Sequence, residues 1–235
     1  VRLVEGVHSI GQRKGGRVHA FLFEHADGLT LVDTLFDDDA REVLAYLRQM
    51  GRGPSELTHI VLTHAHRSHL GGLAALKRLS DATVYSHEWE ADIIAGERKA
   101  QAGRFRPIFP LKLWPFRLGL ALGKPKHQPC DVDKTLDEGD ALGPLQVVHI
   151  PGHSPGHLAF FWPERRVLIA GDAIATWPSL AAGWPGFNLN EEQHRESVRR
   201  LAGFDALVVG VGHGSPITEQ GPDRMRELVE RESSD

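Results

Sequence analysis

The sequence predicts an α/β sandwich: two mixed β-sheets packed face to face, with helices on both outer faces. Three observations predict it. Short apolar segments rich in Val, Leu, Phe and Thr recur between Gly-containing turns. Strands give way to alternating strand and helix patterns, and this order runs twice along the chain. The 235 residues, 41% hydrophobic and 25% charged, have the composition of a globular chain able to bury a sizeable core. No linker divides them, so residues 1–235 read as one domain.

The elements follow in order. LVEGVHSI, VHAFLFEH and LTLVDT read as the first strands. Val43, Leu44, Leu47 and Met50 fall at helix spacing, and Gly51, Gly53 and Pro54 end that helix. HIVLT (59–63) reads as a buried strand, LGGLAALKRL (70–79) as a helix, TVYSH as a strand and EWEADIIAGE as a helix. Residues 101–128 break the rhythm. Their Pro, aromatic and basic residues read as an insertion of loop and short helix. LQVVHI, HLAFFWPE and RVLIAGD resume the strands. A helix at 190–202, the strand ALVVGVG and a helix at 222–232 follow.

Composition excludes several classes. A net charge of −4 lacks the basic excess of a nucleic-acid binder. A single cysteine, Cys130, rules out an internal disulfide framework and a Cys-rich zinc module. No stretch approaches the ~18–20 apolar residues of a membrane span. VRLVEGVHSI lacks a charged-then-apolar signal pattern, so a cytoplasmic location is expected. The chain starts with Val, which leaves a processed N-terminus open.

The histidines carry the chemistry. Thr63-His64-Ala65-His66-Arg67-Ser68-His69 follows an apolar strand, and a tight loop there can aim several imidazoles at one point. Neutral imidazole suits zinc, iron, nickel or copper. Taken alone, the run could be a His-rich surface loop. It does not stand alone. Pro151-Gly152-His153-Ser154-Pro155-Gly156-His157, Ala170-Gly171-Asp172 and Val211-Gly212-His213 also fall at strand ends, each beside a glycine. Core packing does not explain four such loops.

With Asp33 at the end of LVDT, these residues resemble the metallo-β-lactamase superfamily. The family pattern is a strand-end Asp, then HxHxDH, His, Asp and His, and the resemblance runs from about residue 3 to the last helix. It implies an αββα sandwich with a metal site along one edge. By this resemblance His64, His66 and His153 hold a first metal, Asp172 bridges, and His69 and His213 belong to a second. Asp33 orients the histidine loop from behind. His157 is expected as a structural neighbour. His87 is the nearest to the cleft among the histidines without a metal role. The motif Asp is Ser68 here, a neutral hydroxyl in place of a carboxylate. That weakens the second metal site, because an unneutralised buried charge is costly. One or two Zn2+ are expected, with Fe or Mn as alternatives.

The implied function is a metal-dependent hydrolase using a metal-bound hydroxide on small esters, lactones or thioesters. His64, His66 and Asp172 carry the catalysis. A zinc ion with three imidazole ligands lowers the pKa of its water to about 7. Alternatives are a β-lactamase or phosphodiester hydrolase and, in another class, a non-catalytic metal-binding or ligand-sensing protein. The insertion at 101–128 is expected near the cleft. Phe105, Phe109, Leu113, Trp114 and Phe116, with Trp177 and Trp184 opposite, either wall an apolar substrate pocket or pack the insertion onto the sandwich. The expected partner is a small molecule, without nucleic acid or stable membrane insertion. A homodimer is one assembly open to the chain.

Overall fold

The computed structural model describes residues 1–101, 114–122, 126–183 and 186–232, with the side chains of Phe116 and Leu120 outside that description. The first half runs β1 (Arg2–Val4), β2 (Val7–Gln12), a helical turn α1 (Lys14–Arg17), β3 (Val18–His25), β4 (Gly28–Val32), α2 (Arg41–Gln49), β5 (Leu57–Val61), α3 (Arg67–Leu70), α4 (Leu73–Leu79), β6 (Thr83–Ser86) and α5 (Glu88–Ile94). The rest runs α6 (Trp114–Ala121), β7 (Lys134–Thr135), β8 (Ala141–Leu142), β9 (Leu145–His149), β10 (Leu158–Trp162), β11 (Val167–Ile169), α7 (Glu191–Ala202), β12 (Val208–Gly210) and α8 (Gly221–Glu232).

Strands β1 to β7 form one sheet in chain order, and the second sheet has the order β12-β11-β10-β9-β8. Both are mixed. The pairs β4·β5, β5·β6, β6·β7 and β11·β12 are parallel and the other pairs antiparallel.

Alternation along the strands decides the layering, because successive side chains leave a strand on opposite faces. In β3, Phe21 and Phe23 join Val147, Leu158, Phe160 and Val167 between the sheets. Ala20 and Leu22 face the other way, into a cluster with Val43 and Leu47 of α2, Leu73 and Leu76 of α4, and Ile93 of α5. In β10 the same switch sends Leu158 and Phe160 between the sheets. Ala159 and Phe161 instead meet Val198 and Leu201 of α7 and Met225 and Leu228 of α8. Apolar residues on both faces make a four-layer sandwich.

Three elements differ from the sequence reading. LVEGVHSI is a hairpin, because Gly6 adopts φ 73° and turns β1 back on β2. The helix expected over 70–79 is two helices, broken at Gly71 and Gly72. There the backbone passes against residues 34–36: Gly71 N–H donates to Leu35 O at 2.8 Å, and a Cβ on Gly71 would overlap the Phe36 carbonyl. HLAFFWPE ends as a strand at Trp162, where Pro163 opens a 3-10 turn. The strands β7 and β8 are two residues each, too short for a period to register.

Chain direction positions the site. Strands β4, β5, β9, β11 and β12 finish at one edge of the sandwich, and the first candidate residue of each loop follows within four positions of those ends. The two sheets are tied there by hydrogen bonds. Leu158 N–H donates to Thr63 O at 2.9 Å, and His19 N–H to Gly212 O at 3.1 Å.

Candidate metal centre

Four of the strand-end loops, those after β5, β9, β11 and β12, bring six residues into two adjoining groups: His64, His66, His153 and Asp172, and His69, Asp172 and His213. In the first, His66 Nδ1 lies 3.0 Å from both His64 Nε2 and His153 Nε2. Asp172 Oδ2 lies 3.6 Å from His64 Nε2 and 3.3 Å from His153 Nε2. A tetrahedral ion with ligands at ~2.0–2.1 Å sets its ligand atoms about 3.3 Å apart, which these edges match. In the second group, Asp172 Oδ1 is 3.2 Å from His69 Nε2 and Asp172 Oδ2 is 3.3 Å from His213 Nε2.

A neutral imidazole has one N–H and one lone pair, so the partner of one nitrogen decides what the other can do. The outer nitrogens of four of these histidines are committed. Thr63 Oγ1 donates to the Asp33 carboxylate at 2.9 Å and accepts from His64 Nδ1–H at 3.0 Å. His69 Nδ1–H donates to Asp33 Oδ2 at 2.8 Å. Asn188, its amide oriented by a 2.8 Å bond to Glu191, accepts from His153 Nδ1–H at 3.2 Å. Gly16 O accepts from His213 Nδ1–H at 3.0 Å. For His64, His153 and His213 the bond turns a lone pair inward, and His69 Nε2 presents one once its proton is displaced. The Gly16 carbonyl is presented by a turn in which Gly15 and Gly16 have φ 72° and 89°, a region that favours glycine.

Burial sets the charge states. It pulls His66 down to about 4 and His153 to about 3, and it holds His64 well below the ordinary imidazole value. These three are neutral at pH 7, as ligands must be. For His69 burial works in the same direction, but Asp172 and Asp33 outweigh it and hold the ring up at about 10. Burial opposes the Asp172 carboxylate, and His213 and His69 overcome it, so the group stays well below the usual carboxylate range.

The donor set fits a metal. His69 Nε2 and Asp172 Oδ1 are buried without a hydrogen-bond partner, although they face each other. Such a pair calls for a shared proton or a cation between them. Oxygen and imidazole donors with no thiolate suit zinc, iron or manganese.

The other expected residues are placed as follows. Asp33 stands behind the histidine loop, bonded to Thr63 and His69 and 1% exposed. Ser68 is half-buried in α3 beside His69. His157 contacts the His64 and His153 rings and accepts from Asp172 N–H at 3.2 Å, a neighbour of the centre. His87 lies against Gly156 and stacks on His149, with Asp137 close by. Its Nδ1 accepts from Trp89 N–H at 3.0 Å, so Nε2 carries the proton and this third cluster presents a donor. Trp177 and Trp114 are half-buried. Phe105, Phe109, Leu113, Trp184 and the side chain of Phe116 lie outside the described residues.

Sequence reasoning missed Asn188, Gly16 and Glu90. The first two carry no spacing signal. Glu90 had one: it shares a helix face with Ile93 and Ile94, three and four residues on, and a charge in an apolar stripe is worth a question.

A family model described as the metallo-β-lactamase superfamily matches residues 13–213. The chain is 26% identical over 255 residues to the "Probable metallo-hydrolase YflN" of Bacillus subtilis, covering 98% of this chain and 92% of that protein. Among solved structures it is similar to the metallo-beta-lactamase family protein TTHA1429 from Thermus thermophilus, with 27% identity and a TM-score of 0.70 over 99% of this chain and 81% of that one. It is also similar to TTHA1623 in a di-iron-bound form, with 28% identity and a TM-score of 0.65 over 92% and 96% of the two chains.

Proposed function

The chain belongs to the metallo-β-lactamase superfamily, and we propose that it is a metal-dependent hydrolase of small esters, lactones or thioesters with an apolar part. The orphaned pair, His69 Nε2 and Asp172 Oδ1, carries this reading, together with the imidazole lone pairs turned toward it. His64, His66, His153 and Asp172 would hold one metal, and His69, Asp172 and His213 a second. When bound, zinc, iron or manganese supplies Lewis acidity toward water and toward the substrate's carbonyl oxygen. Asp172 is common to both groups. Its Oδ1 has no other partner, so it orients the attacking water and accepts its proton.

Asp172 is also the carboxylate that both groups depend on, since position 68 offers a hydroxyl. With no second carboxylate in either group, protonation of a departing amine is poorly served. Leaving groups that need little help, such as the alkoxide of a strained lactone, an activated alkoxide or a thiolate, suit the centre better than amides. Trp177 follows Thr176, whose N–H donates to His213 O at 2.9 Å, and this nearness to the second group supports Trp177 as a pocket wall.

Metal content by elemental mass spectrometry, on protein purified without chelator, should approach two per chain, one for each group. Turnover on an ester, lactone and thioester panel should vanish on chelation and return with zinc. Two metals with no turnover on the panel would remove the substrate class. No uptake even from added zinc would remove the metal reading itself.

Ser68→Asp restores a carboxylate beside His69. The expected result is second-metal affinity about 10-fold or more higher, the scale on which neighbouring groups tune a metal site, and a larger gain on amides than on lactones. A fall in lactone or ester turnover at full metal loading would give Ser68 a role of its own.

A further inference from the structure

Glu90, in α5, is 1% exposed and touches neither group of candidate ligands through its side-chain hydrogen bonds. Its Oε2 accepts from Ala65 N–H at 3.0 Å, the peptide between His64 and His66. Its Oε1 accepts from the Ser154 hydroxyl at 2.5 Å and from Gly156 N–H at 3.2 Å. Ser154 and Gly156 belong to the loop between β9 and β10, which carries His153 and His157. One carboxylate therefore holds two loops that leave different sheets. The approach is close: a Cβ on Gly156 would sit 2.9 Å from Glu90 Cγ and 3.0 Å from Oε1, so glycine lets this loop reach the carboxylate. All three partners donate, which suits the ionised form. Burial raises the Glu90 pKa, and the bonds from Ser154, Ala65 and Gly156 oppose that rise.

The centre needs such a brace. Three neutral imidazoles aim lone pairs at one point, with nitrogens 3.0 Å apart across His64–His66 and His66–His153. Before a cation arrives, a single His66 Nδ1–H can serve only one of the two facing lone pairs at a time, so these contacts do not fix the spacing of the two loops and something rigid must hold them. The helix bearing Glu90 is anchored by Ile93 and Ile94 in the core. We propose that Glu90 is a positioning residue for the first metal group, holding the 63–66 and 151–157 loops at the spacing that converges His64, His66 and His153. This rests on the reading of those three histidines as ligands.

The test uses Co2+, whose visible absorption reports its ligand geometry, with affinity measured by chelator competition on the full chain. Glu90→Gln keeps one acceptor oxygen but turns an amide N–H toward one of the loop donors. The expected loss is about 10–100-fold in affinity for the first equivalent, with an altered absorption band. Ser154→Ala removes a single donor and should lose less affinity, with a metal-free melting temperature only a few degrees lower. A purely structural role would lower that melting temperature and leave the affinity of the folded protein alone. Equal first-equivalent affinity and band shape in wild type and Ser154→Ala would overturn the proposal, even if the Glu90 variants fail to fold. Wild-type protein that takes up no Co2+ would instead overturn the metal reading.

Discussion

Asp172→Asn should lower hydrolytic turnover by about 10²–10⁴-fold, the range for losing a positioned proton acceptor, and should leave less than one metal per chain. Asp172 stands within 3.2–3.6 Å of His64, His69, His153 and His213, so both groups lose their shared anion at once. The amide would also aim N–H donors at imidazole lone pairs and satisfy them in place of a cation. The fold should persist, because the tie between this loop and His157 runs through the Asp172 backbone N–H. Elemental analysis, steady-state rates in excess zinc and melting of the metal-free protein check these three outcomes together. An Asn variant with two metals and wild-type turnover would remove Asp172 from the mechanism.

The second metal should bind more tightly as pH rises, and the first should not. His66 and His153, pulled down by burial to about 4 and about 3, hold no proton to displace at neutral pH. His69 does: burial disfavours its charge, but Asp172 and Asp33 hold it protonated up to about 10. A cation on His69 Nε2 must expel that proton, so the second affinity should climb about tenfold per pH unit between pH 7 and 9. The same group predicts a stability trend. Its folded pKa stands above the ordinary 6.5, so its ion pairs stabilise the metal-free protein fully below about 6.5. That contribution fades as pH rises through about 10. Metal-free protein should therefore melt lower at pH 9.5 than at pH 7, and loaded protein should show a smaller drop. Chelator competition at three pH values, with proton release followed by a dye, gives the answer. A second affinity independent of pH would contradict the protonation of His69.

The sequence by itself determined the layers and the ligand candidates. The unbroken apolar runs within VHAFLFEH and HLAFFWPE require strands buried on both faces, and strands so buried need helices outside them. His64, His66, His69, His153, Asp172 and His213 were legible because each follows a strand, and strand ends are where a rigid scaffold presents side chains. Tertiary structure alone decided the rest. Whether an imidazole offers a lone pair depends on what its other nitrogen meets. Those partners, Thr63 with Asp33, Asn188 and the Gly16 carbonyl, are positioned by the fold and mark no period in the sequence. The break at Gly71 and Gly72 came from a close pass against residues 34–36, which no local propensity encodes. Glu90 reads locally as one more charge on a short helix. It becomes the tie between two loops only because the folded sandwich brings Ala65, Ser154 and Gly156 to the same carboxylate. Local periodicity reports which face of an element is buried, and the partner that a buried polar group finds there is set by the packing of the whole chain.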